Sequence, residues 1–348
     1  MRFDKLKKPI FFILKLSIAA LIVWYLLLRD TASLAGSLKD FDPRYLAGAV
    51  ICYAAHYAVC AWRWRKLAVM LDIPLGVFES FSLTVQGMFF SLVIPGGAIG
   101  GDVVKMAVIS KRTSRGRKTE GAFTVLMDRI VGMIALFILV LVIVPCAYDL
   151  LMDCRIPQIN IPQKVKLAGI CGLLLTAVSG LAASCVIFFH KIIHKAALFD
   201  RLLSFADRIS GGTVSRMEQA TDVYAGNPGK LVLLTAASIL GVHLMTVIPL
   251  LFLLAGLGVK FSCFSVVVAV TLGNVAGLLP FFPSGVGIRD LVTVTILVAA
   301  GVPEFDAKTA QLLYTAIIIL SNLAGGLFFI FDSGRKKAEQ QGAEDPNA

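Results

Sequence analysis

The sequence predicts an all-α, polytopic membrane protein, and three observations carry that prediction. Hydrophobic residues fill 57% of its 348 positions. The mean hydropathy is +0.83, and the apolar residues come in long blocks. A soluble core needs neither that amount nor that clustering. A transmembrane helix does, because crossing roughly 30 Å of hydrocarbon takes about 20 mainly apolar residues.

Six blocks read as full spans: Pro9–Leu28, Tyr45–Trp62, Gly121–Val144, Lys166–Phe189, Lys230–Gly256 and Ala307–Phe331. Two further stretches, Gly76–Ser110 and Phe261–Ala300, are too long for one crossing and are interrupted by Pro and Gly. Each is predicted to form a helical hairpin. A single membrane domain therefore takes up the chain. MRFDKLKK followed by an apolar run resembles a signal peptide, but the run exceeds a typical h-region, which predicts an uncleaved first span.

The net charge of +11 raises the question of nucleic acid, yet in a membrane protein it first reports sidedness. With the N-terminus inside, 22 of the 33 basic residues fall in cytoplasmic segments, including Arg2–Lys8, Arg63–Lys66, Lys105–Lys118 and Arg335–Lys337. Only eight fall outside, which leaves Lys15, Arg129 and Arg289 in or beside apolar segments. The prediction is a multi-pass protein of the cell (inner) membrane with both termini cytoplasmic. Its basic face also attracts anionic head groups, by about 1 kcal/mol per residue near the surface.

The second half repeats the order of the first, span, span, hairpin, span, starting from the opposite side. Residues 9–144 and 166–331 thus form a predicted inverted repeat. The hairpin tips IPGGAIGGDVVKM and FPSGVGIRDLVTV share Pro-x-Gly-x-x-x-x-Asp, which aligns Pro95, Gly97 and Asp102 with Pro283, Gly285 and Asp290. Between the halves, residues 190–228 are predicted to be a cytoplasmic or interfacial linker. Within it Ile192, Ala196, Phe199, Leu203 and Ala206 mark one face of an amphipathic helix. The polar tail 338–348 has the composition of a disordered segment.

A Pro-Gly break at membrane depth frees backbone groups that lipid cannot satisfy, so the tips must be buried in protein or line a wet cavity. Re-entry into helix near Gly100, Gly101 and Gly287 presents N–H groups and a positive dipole end, which suits an anion such as a lipid phosphate. Arg289, Lys105 and Arg129 are the cations placed to assist, with Asp102, Asp128 and Asp290 as their counter-charges. Internal pairing is the plainer role: Asp102 with Lys105, Asp128 with Arg289, or Arg129 with Asp290. Asp102 and Asp290 equally suit the first turn of a helix. Arg63 and Lys105 are long enough to snorkel to the cytoplasmic surface.

His56 and His243 lack a second ligand at metal spacing and are predicted to pack and hydrogen-bond, as are Gln86, Asn274 and Asn322. Cys146 and Cys154 are the one pair placed for a disulfide, on the outer side. No nucleotide loop, zinc helix or nucleophile elbow is present, so no cofactor is implied.

IPGGAIGGDVVKM, RWRKL after the second span, MDRIVG in the fourth apolar block and FPSGVGIRD occur in that order. Together they resemble the transmembrane region of lysylphosphatidylglycerol synthases, a flippase-like family that also occurs as stand-alone membrane proteins. In that family the first tip ends in an acidic residue with Arg three residues on, here Asp102 and Lys105. The second reads Gly-x-Arg-Glu, here Gly287, Arg289 and Asp290. Both departures keep charge and change reach, and Lys lacks the bidentate fork that Arg offers a phosphate.

The resemblance implies movement of an anionic lipid or lipid-linked head group between leaflets. The aminoacyl transfer of the two-part synthases resides in a soluble domain with no counterpart in these residues. A membrane-embedded transferase using Asp102 or Asp290 as base, and a partner subunit of a separate lipid synthase, are the alternatives. The expected partners are the membrane, an anionic phospholipid or lipid-linked substrate, and a second copy or a synthase; nucleic acid is not among them.

Overall fold

A computed structural model describes residues 41–94, 98–114, 116–155, 161–188, 204–205, 207–278 and 285–344. Among these residues the chain is all-helical, and five helices are long and apolar enough to cross a membrane. They match five of the six expected spans. The sixth, Pro9–Leu28, lies outside the described residues, as does most of the amphipathic segment expected in 190–209.

The first helix, α1 (Pro43–Met70), starts where the Asp42 side chain accepts the Arg44 N–H at 2.9 Å and Pro43 sets the first φ. The first broken pair follows as α2 (Val77–Val93) and α3 (Ala98–Arg112). Next come α4 (Lys118–Cys146), the short α5 (Tyr148–Asp153) and α6 (Gln163–Phe188). A polar helix, α7 (Thr213–Ala225), leads into α8 (Pro228–Ser238). One π-helical segment, Ile239–Leu244, joins α8 to α9 (Ile248–Gly256). The second broken pair is α10 (Cys263–Ala276) and α11 (Ile288–Ala299), and α12 (Glu304–Glu344) closes the chain.

The last helix runs through 338–344, part of the tail whose polarity predicts disorder. Its Ala, Glu, Gln and Lys residues are good helix formers, and an established helix extends at little cost once nucleated. Cys146 and Cys154 are both free thiols, against the expected outer disulfide.

Each broken pair packs its two helices side by side, and small residues make this possible. At the α2–α3 crossing Gly101 lies directly on the Gly87 carbonyl and the Ser91 hydroxyl, leaving no room for a Cβ. In the second pair a Cβ on Gly285 would sit 2.7 Å from the Gly277 Cα. Gly285 (φ 71°) and Gly287 (φ 95°) also need the left-handed conformations that glycine adopts without penalty. Around the pairs, α12 packs on α2, α1 on α9 and α4 on α6.

Two apolar clusters result. The larger joins Val140 and Val144 of α4 with Leu250, Leu253 and Leu254 of α9, Val266–Val270 of α10 and Leu297 of α11. The smaller gathers Trp64 and Leu67 of α1, Leu83 of α2, Ile109 of α3, Met127 of α4 and Tyr224 of α7. The Tyr224 hydroxyl donates to the Leu67 carbonyl at 3.0 Å and so fixes α7 against the end of α1. Basic residues hold the same pole together: Arg117 bonds the Leu71 carbonyl at 2.5 Å, Arg65 the Leu75 carbonyl at 2.9 Å, and Arg112 pairs with Glu79.

The glycine crossing generates a prediction. Gly101→Ala forces α2 and α3 apart against the Gly87 backbone, which cannot rotate away as a side chain could. The expected cost is at least about 1–3 kcal/mol, read as a lower melting temperature in detergent. Ala at the exposed Gly172, where a Cβ meets nothing, does not lower the melting temperature, because Ala suits a helix interior better than Gly.

Candidate functional site

Between the helices lies a cavity of about 280 Å³. Among the described residues four cations line it, Arg63 from α1, Lys105 from α3, Arg129 from α4 and Arg289 from α11, against two lining carboxylates, Asp102 and Asp128. Arg63, Lys105, Asp128 and Arg289 are only 6, 6, 9 and 7% exposed, so these charges are held out of bulk solvent. Such burial is costly unless every charge finds a partner.

The partners are specific. Arg63 Nε donates to Asp128 Oδ1 at 2.7 Å, and its Nη1 donates to the Ser238 hydroxyl at 2.9 Å, so one guanidinium ties α1 to α4 and α8. Gly132, one turn beyond Asp128, supplies the flat surface for that guanidinium, 3.1 Å from where a Cβ would stand. Lys105 Nζ lies 3.9 Å from Asp128 Oδ2 and 4.0 Å from the centre of the Trp64 ring, a cation–π arrangement. The Trp64 indole N–H is held by the Thr124 hydroxyl at 3.1 Å. Arg129 pairs with Asp102 at 2.8 Å through Nε and 2.5 Å through Nη2, and its side chain is 37% exposed.

Arg289 lies at the start of α11 beside its own neighbour, with Nε 3.3 Å from Asp290 Oδ1. Asp290 is the hub of that corner. Its Oδ1 accepts from Gln311 at 2.8 Å and Thr315 at 2.9 Å on α12, and its Oδ2 accepts the Gly287 N–H at 3.0 Å.

Several expectations change as a result. Asp102 binds Arg129 rather than Lys105, Asp128 binds Arg63 and Lys105 rather than Arg289, and Asp290 binds its own corner rather than Arg129. Arg63 and Lys105 do not snorkel, because Asp128 offers each an internal counter-charge. The N-terminus of α11 is capped by Asp290, so the Gly287 N–H is not an open donor; the carboxylate reaches it as a first-turn acid does. Gly100, Gly101, Gly285 and Gly287 are absent from the cavity lining and serve the helix breaks, whereas Gly87, Gly132 and Gly277 line it. Pro95, Gly97 and Pro283 lie outside the described residues.

Sequence reasoning missed Arg63 as a cavity residue. The signal was present: Asp128 needed a buried partner, and RWRKL is the motif that supplies it. The neutral polar residues of the apolar segments hydrogen-bond as predicted, and all but Gln86 line the cavity. His56 Nδ1 meets the Tyr53 carbonyl, His243 Nε2 is 2.9 Å from the Gly132 carbonyl, and Asn322 accepts from the Tyr57 hydroxyl at 2.7 Å. Asn274 bridges to Thr246 at 3.3 Å and Gln86 bonds Ser82 at 2.9 Å. Among the described residues no group of His, Cys, Asp or Glu is arranged to hold a metal.

The four motifs that contribute Arg63, Asp102, Lys105, Asp128, Arg129 and Arg289 fall within one family match. The model of the lysylphosphatidylglycerol synthase transmembrane region matches residues 12–326. The chain belongs to this family. A UPF0104 membrane protein of Pyrococcus horikoshii is 21% identical over 333 residues, covering 93% of this chain and 97% of that protein. Membership of the lysylphosphatidylglycerol synthase transmembrane-region family makes this a membrane protein.

The two ion pairs of the cavity differ in a way that melting experiments detect. Asp128→Asn keeps the shape but strands the Arg63 charge in a buried position, with an expected loss of about 3–5 kcal/mol. Arg129→Ala removes a partly exposed pair, whose side chains are 37 and 18% exposed, and the expected loss is smaller, about 1 kcal/mol. Equal melting temperatures for the two variants would remove Arg63–Asp128 from its central place.

Proposed function

We propose that this protein is a transporter that carries the head group of an anionic lipid, or of a lipid-linked substrate, between the leaflets of the cell (inner) membrane. The observation that carries this reading is the cation excess of the buried cavity: among the described residues four cations face two lining carboxylates, with Asp290 beside Arg289 as a third counter-charge, in a space among apolar, membrane-length helices. An incoming phosphate gains charge-assisted hydrogen bonds from groups already desolvated, at little further cost. The carboxylates hold the cations in position when no anion is bound. Arg289 offers the bidentate fork, and Lys105 acts as a point charge on the Trp64 face.

The two broken pairs are re-entrant hairpins in this reading, inserted from opposite sides in an inverted repeat of residues 9–144 and 166–331, with both termini cytoplasmic. Three features support it. The helices α2, α3, α10 and α11 have 17, 15, 14 and 12 residues, each short for a full crossing. The aligned carboxylates Asp102 and Asp290 each reach the next helix of their own half, Asp102 to Arg129 on α4 and Asp290 to Gln311 and Thr315 on α12. In both halves that next helix also packs on the second member of the pair. Repeats related in this way exchange conformations, which opens the site to one side and then the other.

A transferase mechanism finds less support, because Asp102, Asp128 and Asp290 are each engaged by a cation and none is free to act as a general base.

Fluorescent phosphatidylglycerol scrambling in proteoliposomes tests the proposal. Purified protein should accelerate movement over empty vesicles, and Arg289→Ala should return it to the empty-vesicle rate. The variant remains folded, because Gln311, Thr315 and the Gly287 N–H still satisfy Asp290. An unchanged rate in Arg289→Ala would count against this site, and no acceleration by the wild-type protein would count against phospholipid transport.

A further inference from the structure

Among the five described spans, Pro228–Gly256 alone leaves the α-helical form part-way. The chain passes from α8 into the π-helical segment Ile239–Leu244, turns through 245–247 and resumes as α9 at Ile248. Pro249 has no N–H, which deprives the Met245 carbonyl of its usual donor four residues on. The Leu250 N–H turns to the Val247 carbonyl at 3.1 Å, and the Thr246 carbonyl is taken by the Tyr314 hydroxyl of α12 at 2.8 Å. The middle of this span is therefore held by a contact from another helix where a regular helix would use its own ladder.

The counterpart of this span in the proposed repeat is α1. Both helices start on Pro after an Asx residue, Asp42-Pro43 and Asn227-Pro228. The helices that follow also correspond: a Cβ on Gly87 would meet Lys105 and the Gly101 carbonyl, and one on Gly273 would meet Thr293 and the Arg289 carbonyl. Yet α1 stays α-helical through 28 residues, while Pro228–Gly256 has 29. A π turn closes its bonds over five residues instead of four, so it absorbs one added residue and leaves both flanks in register. Kinks concentrate at such turns and at Pro, and this span has both.

We infer that the π-helical segment is the hinge on which Pro228–Gly256 bends as the cavity changes the side to which it opens, with Tyr314 as its latch. This deepens the transport reading above and rests on it. The segment is in contact with the site, because Val242, His243 and Thr246 line the cavity. Gly241 gives the bend clearance against α1, where a Cβ would stand 2.8 Å from Val59 Cγ1. The latch reaches the cations: the Tyr314 ring centre lies 6.0 Å from the Arg289 guanidinium carbon, and its hydroxyl holds Thr246. A few residues at the ends of two elements, able to change φ and ψ together, are what a hinge requires.

Hydrogen exchange of the purified full-length protein in nanodiscs, read by mass spectrometry, tests the hinge without reference to transport. Amides of 239–250 should exchange at least about tenfold faster than those of 52–60 in α1, which border the same cavity. Deleting the exposed Leu240 removes the added residue, so the turn closes as α-helix. In that variant exchange in the segment should fall to the level of α1, the melting temperature should hold or rise, and scrambling of fluorescent phosphatidylglycerol should be lost. Tyr314→Phe keeps the ring beside Arg289 and removes only the latch bond. Exchange at 245–251 should then rise roughly fivefold, the worth of about one net hydrogen bond, while 52–60 exchanges as before.

Equal protection of 239–250 and 52–60 in the wild-type protein would overturn the hinge, as would wild-type scrambling by the folded deletion variant. If the deletion prevents folding, Tyr314→Phe decides: a local rise in exchange supports the latch, and no change overturns it. Fast exchange in a wild-type protein that moves no phosphatidylglycerol would count against phospholipid transport and leave the hinge standing.

Discussion

Arg63 and Asp128 meet at 2.7 Å with both side chains out of water, and much of the architecture follows from having to keep them together. Arg63 comes from α1 and Asp128 from α4, while Ser238 on α8 takes a second guanidinium N–H. Three membrane-length segments are thereby fixed in register by a single group. The same carboxylate then draws Lys105 inward from α3, and Trp64, one residue after Arg63, supplies the aromatic face beneath it. An unpaired charge at this depth would be far more costly than the pair, so the contact selects one arrangement of these helices over its alternatives.

Glycine makes the pairing geometrically accessible. Gly132 lets the Arg63 guanidinium lie flat against α4, and Gly87 lets the Lys105 stem cross α2, where a Cβ would stand 2.8 Å from its Cδ. The Gly87–Gly101 contact brings α3 close enough to α2 for Lys105 to reach Asp128 at all. In the membrane, where apolar side chains gain little by leaving lipid, close approach of small residues and buried polar contacts are the main means of holding helices together. This protein uses both at the same place.

The second broken pair solves a similar problem with less charge. Asp290 collects the Gly287 N–H, Gln311, Thr315 and its neighbour Arg289, so that corner is locked from within its own half of the chain. The first pair is locked across α1, α3, α4 and α8. The π-helical segment at Ile239–Leu244 places His243 against the cavity. Segments of this kind recur at functional sites because they redirect side chains out of the regular helical register.

Hydropathy determined the class of the protein, five of the spans now seen, and the positions of both breaks, because the bilayer imposes a length and an apolar composition that leave a direct mark on sequence. The same reading isolated Asp102, Lys105, Asp128, Arg129 and Arg289, since charge in an apolar block is rare enough to stand out; all five line one cavity. Who pairs with whom was not legible. Asp128 has four cations within plausible reach along the chain, and the choice of Arg63 depends on helix rotation and on Gly132, neither of which a linear pattern encodes. The unpartnered hydroxyl of buried Thr84 was equally hidden, because a threonine in an apolar helix looks ordinary until the partners of its oxygen are known. Transfer free energy is nearly additive along a chain and can be read one residue at a time, whereas an ion pair or a shared cavity is a property of positions in space that only the packed helices decide.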